Sequence, residues 1–314
     1  MQAPIGPATT AELVRAVART GALGTLAALW TEAGALRRQL QLIDADVGSG
    51  YCVNLVLAFD QRERLEVVLA AGVRYVSFSW GIDRELIWRA RAAGAVVMVQ
   101  VGDVVAAVEA AAAGADVVIA QGVEAGGHVQ GTTPLMQLLG ELRPVLKLPL
   151  VAAGGIADSA SARAALAGGA DAVACGTAYL AAHEADVHPG YYDRLLKSTG
   201  ADTVLTTTFD VGWPDAPHRI IRNETYVAWE SAGRPPAGAR PRESDIIATR
   251  DGTPIARYNV AQPTTNTAGD IKAMALYAGT GVDLVRESAS AEQITSLGES
   301  CANIHGRPTN HTSV

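Results

Sequence analysis

Only three cysteines, Cys52, Cys175 and Cys301, are spread through 314 residues. Their odd number and wide spacing exclude a disulfide framework and a CxxC metal pair. Cys52 and Cys175 fall inside apolar runs, as small core residues of a protein kept in a reducing compartment do. Lysine is scarce, arginine is scattered, and the net charge is −7, so no basic patch exists on which a phosphate backbone could lie. No apolar stretch reaches the ~18 residues of a membrane-crossing helix. The first residues also lack the basic-then-apolar order of a secretion signal. The expectation is a cytoplasmic protein with no nucleic-acid or membrane partner, and with room for a homodimer. There is no HxxxH pair or close carboxylate cluster, so no metal site is expected. Neither GxGxxG nor GxxxxGK[ST] occurs in a strand-to-helix setting, which speaks against a built-in dinucleotide or ATP loop.

What is present is a repeating unit: a short β-branched apolar run, a glycine-bearing or polar turn, an Ala/Leu-rich amphipathic stretch, then glycine again. Strands are predicted at 2–5, 24–29, 51–57, 74–79, 95–101, 116–121, 149–153 and 171–176. Helices are predicted to start near Thr10, Glu32, Asp60, Asp83, Asp103, Pro134 and Asp158, several of them on N-cap residue types. Strands apolar on both faces and joined by crossover helices make a parallel sheet, and eight such units close into an α/β (β/α)8 TIM barrel. A doubly wound open sheet is the other arrangement this pattern allows. The barrel is expected over 1–182 and completed by 268–297, within which 271–297 looks helical. The Pro-, Trp- and Arg-rich stretch 183–267 is expected to form a lid with two or three helices, and 298–314 a flexible tail.

In a barrel, reactive groups sit where strands end. Asn54, Gln100, Gln121, Gly154, Gly155, Gly176 and Thr177 all fall there. Gly154-Gly155 and Gly176-Thr177 follow the last two strands, where approachable main-chain N–H groups can hold a phosphate or merely make tight turns. The amides of Asn54, Gln100 and Gln121 suit either a heteroaromatic ring edge or a satisfied core. His128 stands in AQGVEAGGHVQG, on a glycine loop directly after an apolar strand. Titrating near neutrality, it is a natural general base, although a histidine can also simply brace its loop. His183, His188, His218, His305 and His311 lack that setting and read as surface residues. Trp213, Tyr226 and Trp229 are candidates for the pocket wall or for core packing.

The segments AQGVEAGGHVQG, VAAGGIADSASARAALAGGADAVACGTAYL and the opening QAPIG, with a weaker echo in LYAGTGV, resemble the nitronate monooxygenases, formerly called 2-nitropropane dioxygenases. The resemblance spans most of residues 1–182. It implies FMN at the barrel mouth, with phosphate on Gly154, Gly155, Gly176 and Thr177 beside Ala174 and Cys175. The ring would lie near Ile5, Asn54, Gln100, Gln121, Ala125 and Gly126. It implies His128 as the base that takes the α-proton of a nitroalkane, and O2 oxidation of the nitronate to a carbonyl compound and nitrite without nicotinamide. Ile5 stands where methionine is common in that family, Ala174 where glutamine is frequent, and Thr280 where glutamine often follows Gly279. Rival readings are a NAD(P)H-dependent flavin reductase on the same barrel (an enoyl-ACP reductase II or quinone reductase), a flavin-free phosphate-binding barrel, and a noncatalytic flavin binder.

Overall fold

The computed structural model describes residues 1–299. Parallel strands β1 (Thr25–Ala27), β2 (Cys52–Val56), β3 (Tyr75–Ser79), β4 (Val96–Val101), β5 (Val117–Gln121), β7 (Leu150–Ala153) and β8 (Ala172–Ala174) are hydrogen-bonded in that order. Only the two-residue β6 (Gly127–His128) departs, into another sheet. Closure comes from the first residues of the chain. Gln2 bridges Cys175 in parallel, and the Ala3 N–H donates to the Cys175 carbonyl at 2.9 Å while the Gln2 N–H donates to the Leu23 carbonyl at 2.9 Å. This segment therefore lies between β8 and β1 and closes the barrel, but where a strand is expected at 2–5 only Gln2 makes a bridge, so seven of the eight expected strands form in full.

Helices α1 (Ala11–Arg19), α2 (Ala33–Val47), α3 (Arg62–Ala70), α4 (Arg84–Ala92), α5 (Val104–Ala113), α6 (Leu135–Leu142) and α7 (Ser159–Ala167) alternate with the strands. Their starts are fixed by the expected caps. Thr10, Glu32, Asp83, Asp103 and Asp158 each accept main-chain N–H bonds at a helix start, which would otherwise leave those donors unpaired. The third helix begins one residue later than expected, with Gln61 at the cap and Asp60 accepting from Arg62.

Strand pleating sorts the core. Val53, Leu55, Val76, Phe78, Val97, Val99, Val118, Ala120, Leu150 and Ala152 face outward against the helices in one large cluster. Cys52, Met98, Ile119, Val151, Ala153 and Ala174 fill the barrel. Because side chains alternate, Asn54, Gln100 and Gln121 share the inward face with Cys52, Met98 and Ile119, two residues nearer the strands' C-terminal ends.

Beyond the barrel strands come α8 (Pro189–Leu196), β9 (Thr203–Thr206), β10 (His218–Ile221), α9 (Glu224–Ser231), β11 (Ile246–Arg250), β12 (Thr253–Ala256) and β13 (Thr267–Gly269). They form two antiparallel sheets, ordered β6-β10-β9 and β12-β11-β13. The stretch expected to be helical from 271 contains only short 3-10 turns at Ile271–Ala273 and Thr280–Leu284 before α10 (Ala291–Glu299), which packs on α1 and α7. The cause is backbone crowding: a Cβ at Gly281 would overlap the Gly155 carbonyl, and one at Gly279 would lie 2.7 Å from the Glu124 carbonyl. The segment is held as an extended strip against two glycine loops, with Tyr277 bridging Ile220. Of the expected tail, residues 300–314 lie outside the described residues.

Gln2 is fully buried, and its Oε1 accepts the Thr25 N–H at 2.8 Å across the closing seam. Replacing Gln2 with alanine strands that donor, at a cost of about 1–3 kcal/mol. Urea unfolding should show a correspondingly lower midpoint with an unchanged slope; an unshifted midpoint would remove the seam from the stability of the barrel.

Candidate active site

The loop after β5 is pinned from every side. Gln121 donates through Nε2 to the His128 carbonyl (3.0 Å) and accepts the Gln130 N–H (3.0 Å). Arg219 donates through Nε and Nη2 to the Val123 carbonyl at 3.1 and 2.7 Å. The Glu124 carboxylate accepts the Leu135 N–H at the start of α6, while its carbonyl accepts the Thr280 N–H. Gly126 lies so close to Gly279 that no Cβ fits between them, and Gly127 has φ +75°. β6 then pairs antiparallel with β10, placing His218 opposite His128.

The His128 ring stacks on Trp213 (centroids 4.1 Å, planes 16° apart), with Trp80 edge-on at 6.1 Å, His218 at 5.2 Å and Tyr277 at 5.5 Å. Its Nε2 is buried with no partner among the described residues. Burial first, and the neighbouring His218 second, push its pKa down to about 3. His218 is pushed down to about 4, chiefly by burial. It is locked in the Nδ1–H form, with the Phe209 N–H donating to Nε2 (3.2 Å) and Nδ1 donating to the Ala216 carbonyl (2.9 Å). Both imidazoles are neutral at pH 7. Only His128 keeps a ring nitrogen unengaged.

His128 opens onto a cavity of about 750 Å³ at the C-terminal ends of the barrel strands. Ile5, Asn54, Gln100, Gln121, Ala125, Gly126, Gly154, Gly155, Ala174, Gly176 and Thr177 line that same cavity. Cys175 does not. Alternation turns its thiol outward, where it packs with core residues and burial raises its pKa, so its expected placement beside the phosphate-holding residues is corrected. The amides are less free than their positions suggest. Gln121 is spent on the loop, Gln100 donates to Gln130 Oε1 (2.9 Å), and Asn54 donates to Ser77 Oγ (3.0 Å).

The cavity has two unlike halves. Over β5, β7 and β8 the wall is main chain: Gly154 (φ +116°) and Gly155 (φ +70°) are left-handed, and no acceptor among the described residues takes the N–H groups of Gly155, Gly176 or Thr177. Over β1 to β3 the wall is aromatic, from Trp30 and Trp80, with Trp213 arriving from the chain between β9 and β10. Arg250 also lines the space, its Nε–H buried without a partner among the described residues. Exposed glycine N–H groups and a guanidinium suit an anion, and a neutral imidazole with a free nitrogen suits proton transfer.

Sequence reasoning missed His218, Trp80 and Tyr277. His218 is buried, not a surface residue, and its one signal is the β-branched pair Ile220-Ile221 beside it, which reads as part of a short strand. Trp213 lines the cavity, whereas Tyr226 and Trp229 pack together in a separate cluster.

A family model described as nitronate monooxygenase matches residues 50–297. Among curated proteins, the chain is 35% identical over 237 residues to a Mycobacterium tuberculosis protein named (3aS,4S,5R,7aS)-5-hydroxy-7a-methyl-1-oxo-octahydro-1H-indene-4-carboxyl-CoA dehydrogenase. That match covers 74% of this chain and 66% of the relative, so the chain spans just under two thirds of the relative's length. Among solved structures, FabK from Thermotoga maritima superposes with a TM-score of 0.83 at 26% identity, covering 96% of this chain and 92% of that one. Nitroalkane oxidase from Streptomyces ansochromogenes superposes at 0.79 with 30% identity, covering 96% and 95%.

The two imidazoles make stability pH-dependent. Each has a folded pKa below the ordinary 6.5, about 3 for His128 and about 4 for His218, so unfolding takes up protons in the window between. Their contribution is complete above pH ~6.5 and is lost as pH falls toward the folded values, with a slope of up to about 2.7 kcal/mol per pH unit for two protons. Urea midpoints measured from pH 7.5 to 4.5 should fall accordingly, and His128→Asn should remove up to half of the slope. A flat profile would contradict the neutral pair.

Proposed function

The chain belongs to the nitronate monooxygenase family, and from that premise we propose that it is an FMN-dependent oxidoreductase converting nitronates, or the nitroalkanes that give rise to them, into a carbonyl compound and nitrite with O2. The observation that carries the reading is His128, a neutral imidazole of the cavity wall whose Nε2 has no hydrogen-bond partner among the described residues.

The residues present fit a flavin nucleotide. Gly155, Gly176 and Thr177 offer unspent main-chain donors for its phosphate, and the left-handed glycines leave the approach clear of side chains. Asn54, Ala125, Gly126 and Ile5 line the space left for the ring. When bound, FMN supplies the redox chemistry, accepting electrons from the nitronate and delivering them to O2. We take residues 1–182 and 268–297 as the barrel that holds it, and 183–267 as the cap that brings Trp213, Arg250 and Gln262 over the mouth.

The chain's own part is proton transfer and enclosure. His128 takes the proton from the carbon bearing the nitro group, leaving a nitronate anion beside an imidazolium. An isolated cation in this setting is unfavourable, as the depressed pKa shows. The anion formed in the same step offsets that cost at short range. Trp213, stacked on the ring, holds it in place and presents a π face to the positive charge. The Gln121 brace fixes the main chain that carries the base.

The similarity to the Thermotoga FabK structure and to the named dehydrogenase supports the rival reductase reading. The two readings differ in electron donor. Purified protein should release nitrite from an alkyl nitronate in air and should keep its flavin oxidised when mixed anaerobically with NADH or NADPH; rapid bleaching without nitrite release would establish the reductase instead.

His128→Asn should keep bound FMN and lower kcat/KM for neutral nitroalkanes by roughly 10²–10⁴-fold, with a much smaller loss on pre-ionised nitronates. Equal losses on both would take the base role from His128. Gly155→Leu forces a side chain into a left-handed position 3.1 Å from Glu124 Cβ and should lower the flavin-to-protein ratio of the purified enzyme. An unchanged ratio would displace the phosphate from this turn.

A further inference from the structure

The aromatic half of the cavity is built as a unit. Trp30 meets Phe59 edge-on at 4.4 Å, Phe59 meets Trp213 at 5.2 Å, Trp213 meets Trp80 at 4.9 Å, and Trp213 stacks on His128. Trp30, Phe59 and Trp80 come from the loops that follow three successive barrel strands, β1, β2 and β3, while Trp213 reaches in from a distant part of the chain. None of the four is needed to make a barrel. Trp30 remains half exposed at the mouth.

Trp80 carries a second, independent mark. Its φ is +60°, a left-handed conformation that a bulky residue adopts only against a steric penalty and that the surrounding structure must enforce. Glycine would fill that position without strain. The strained backbone turns a large indole toward the cavity, beside the base.

We propose that Trp30, Trp80 and Trp213, with Phe59 packed against Trp30 and Trp213, form an apolar substrate compartment against His128, which selects molecules whose reactive carbon carries a bulky apolar group, cyclic, branched or aromatic, over short linear ones. A substrate carbon that reaches His128 must lie along Trp213 and Trp80. Its substituent then extends toward Trp30 and leaves water. Short alkyl groups leave these indole faces uncovered, whereas a six-membered ring covers them. For its nitronates the inference rests on the monooxygenase reading, but the compartment itself does not.

Two measurements on the flavin-loaded enzyme separate the two claims. The first is kcat/KM for the nitronates of nitroethane and nitrocyclohexane. Each buried methylene is worth roughly fourfold, so the ring's four additional carbons should raise kcat/KM by at least ~10-fold. Trp80→Gly, which relieves the left-handed strain and so should fold, is expected to shrink that ratio to within about threefold of unity. The second is equilibrium binding of propionate and cyclohexanecarboxylate, planar anions shaped like the nitronates but not oxidisable, followed by tryptophan quenching. The same ratio should appear in the dissociation constants of the unmodified enzyme and collapse in Trp80→Gly and Trp213→Leu. If no nitronate is oxidised but the carboxylate ratio holds, the monooxygenase reading fails and the compartment stands. If carboxylate affinity is indifferent to apolar bulk, or Trp80→Gly leaves the ratio intact, the compartment is overturned whatever the enzyme oxidises.

Discussion

Everything at the barrel mouth depends on two stretches of backbone touching where no side chain could fit. Gly126 meets Gly279 and Gly155 meets Gly281 with less room between them than a single methyl group needs. That contact locks the strip around Tyr277 onto the loops after β5 and β7, and the Thr280 and Gly279 N–H groups bond to the Glu124 carbonyl and Thr177 Oγ1 across it. The loop carrying His128 therefore has one position. Enlarging any of these glycines would move the base, the main-chain donors and the aromatic wall together.

Within that frame the site stores an electrostatic conflict. Two imidazoles pair across β6 and β10, and both are neutral because charging either one means burying it. His218 resolves its side of the conflict with two main-chain partners. His128, in the cavity wall, is left with a nitrogen that no other group among the described residues engages, and an incoming group that ends up anionic would relieve it.

Much of this was readable from the chain. Strands buried on both faces give runs such as YVSFS and VVMVQV, and side chains that accept N–H bonds at helix starts announce themselves by type; hence seven barrel strands and nearly all helix starts are legible in the sequence, the segment at 2–5 making only one bridge. The inward pleat likewise put Asn54, Gln100 and Gln121 at the mouth. What resisted reading shares one physical origin, pairing between residues far apart in sequence. The register of His218 on His128 has no local signature, and neither does Trp213 lying on an imidazole from another loop. The segment at 276–284 misleads for a related reason: its apolar content suits a helix, while its glycines serve a close approach visible only once the opposing loops are in place. Cys175 was misassigned by one step of strand alternation.

The seam formed by Gln2, Ala3 and Cys175 bears on how the molecule assembles. Strands β1 to β5, then β7 and β8, can pair successively with near neighbours as the chain grows, but the first residues must wait for the last strand. Closing so large a loop carries an entropic cost before any contact rewards it. An incompletely assembled chain thus holds an open sheet with two bare edges, the kind of surface on which chains join one another. Swift capture of that leading segment separates productive folding from aggregation.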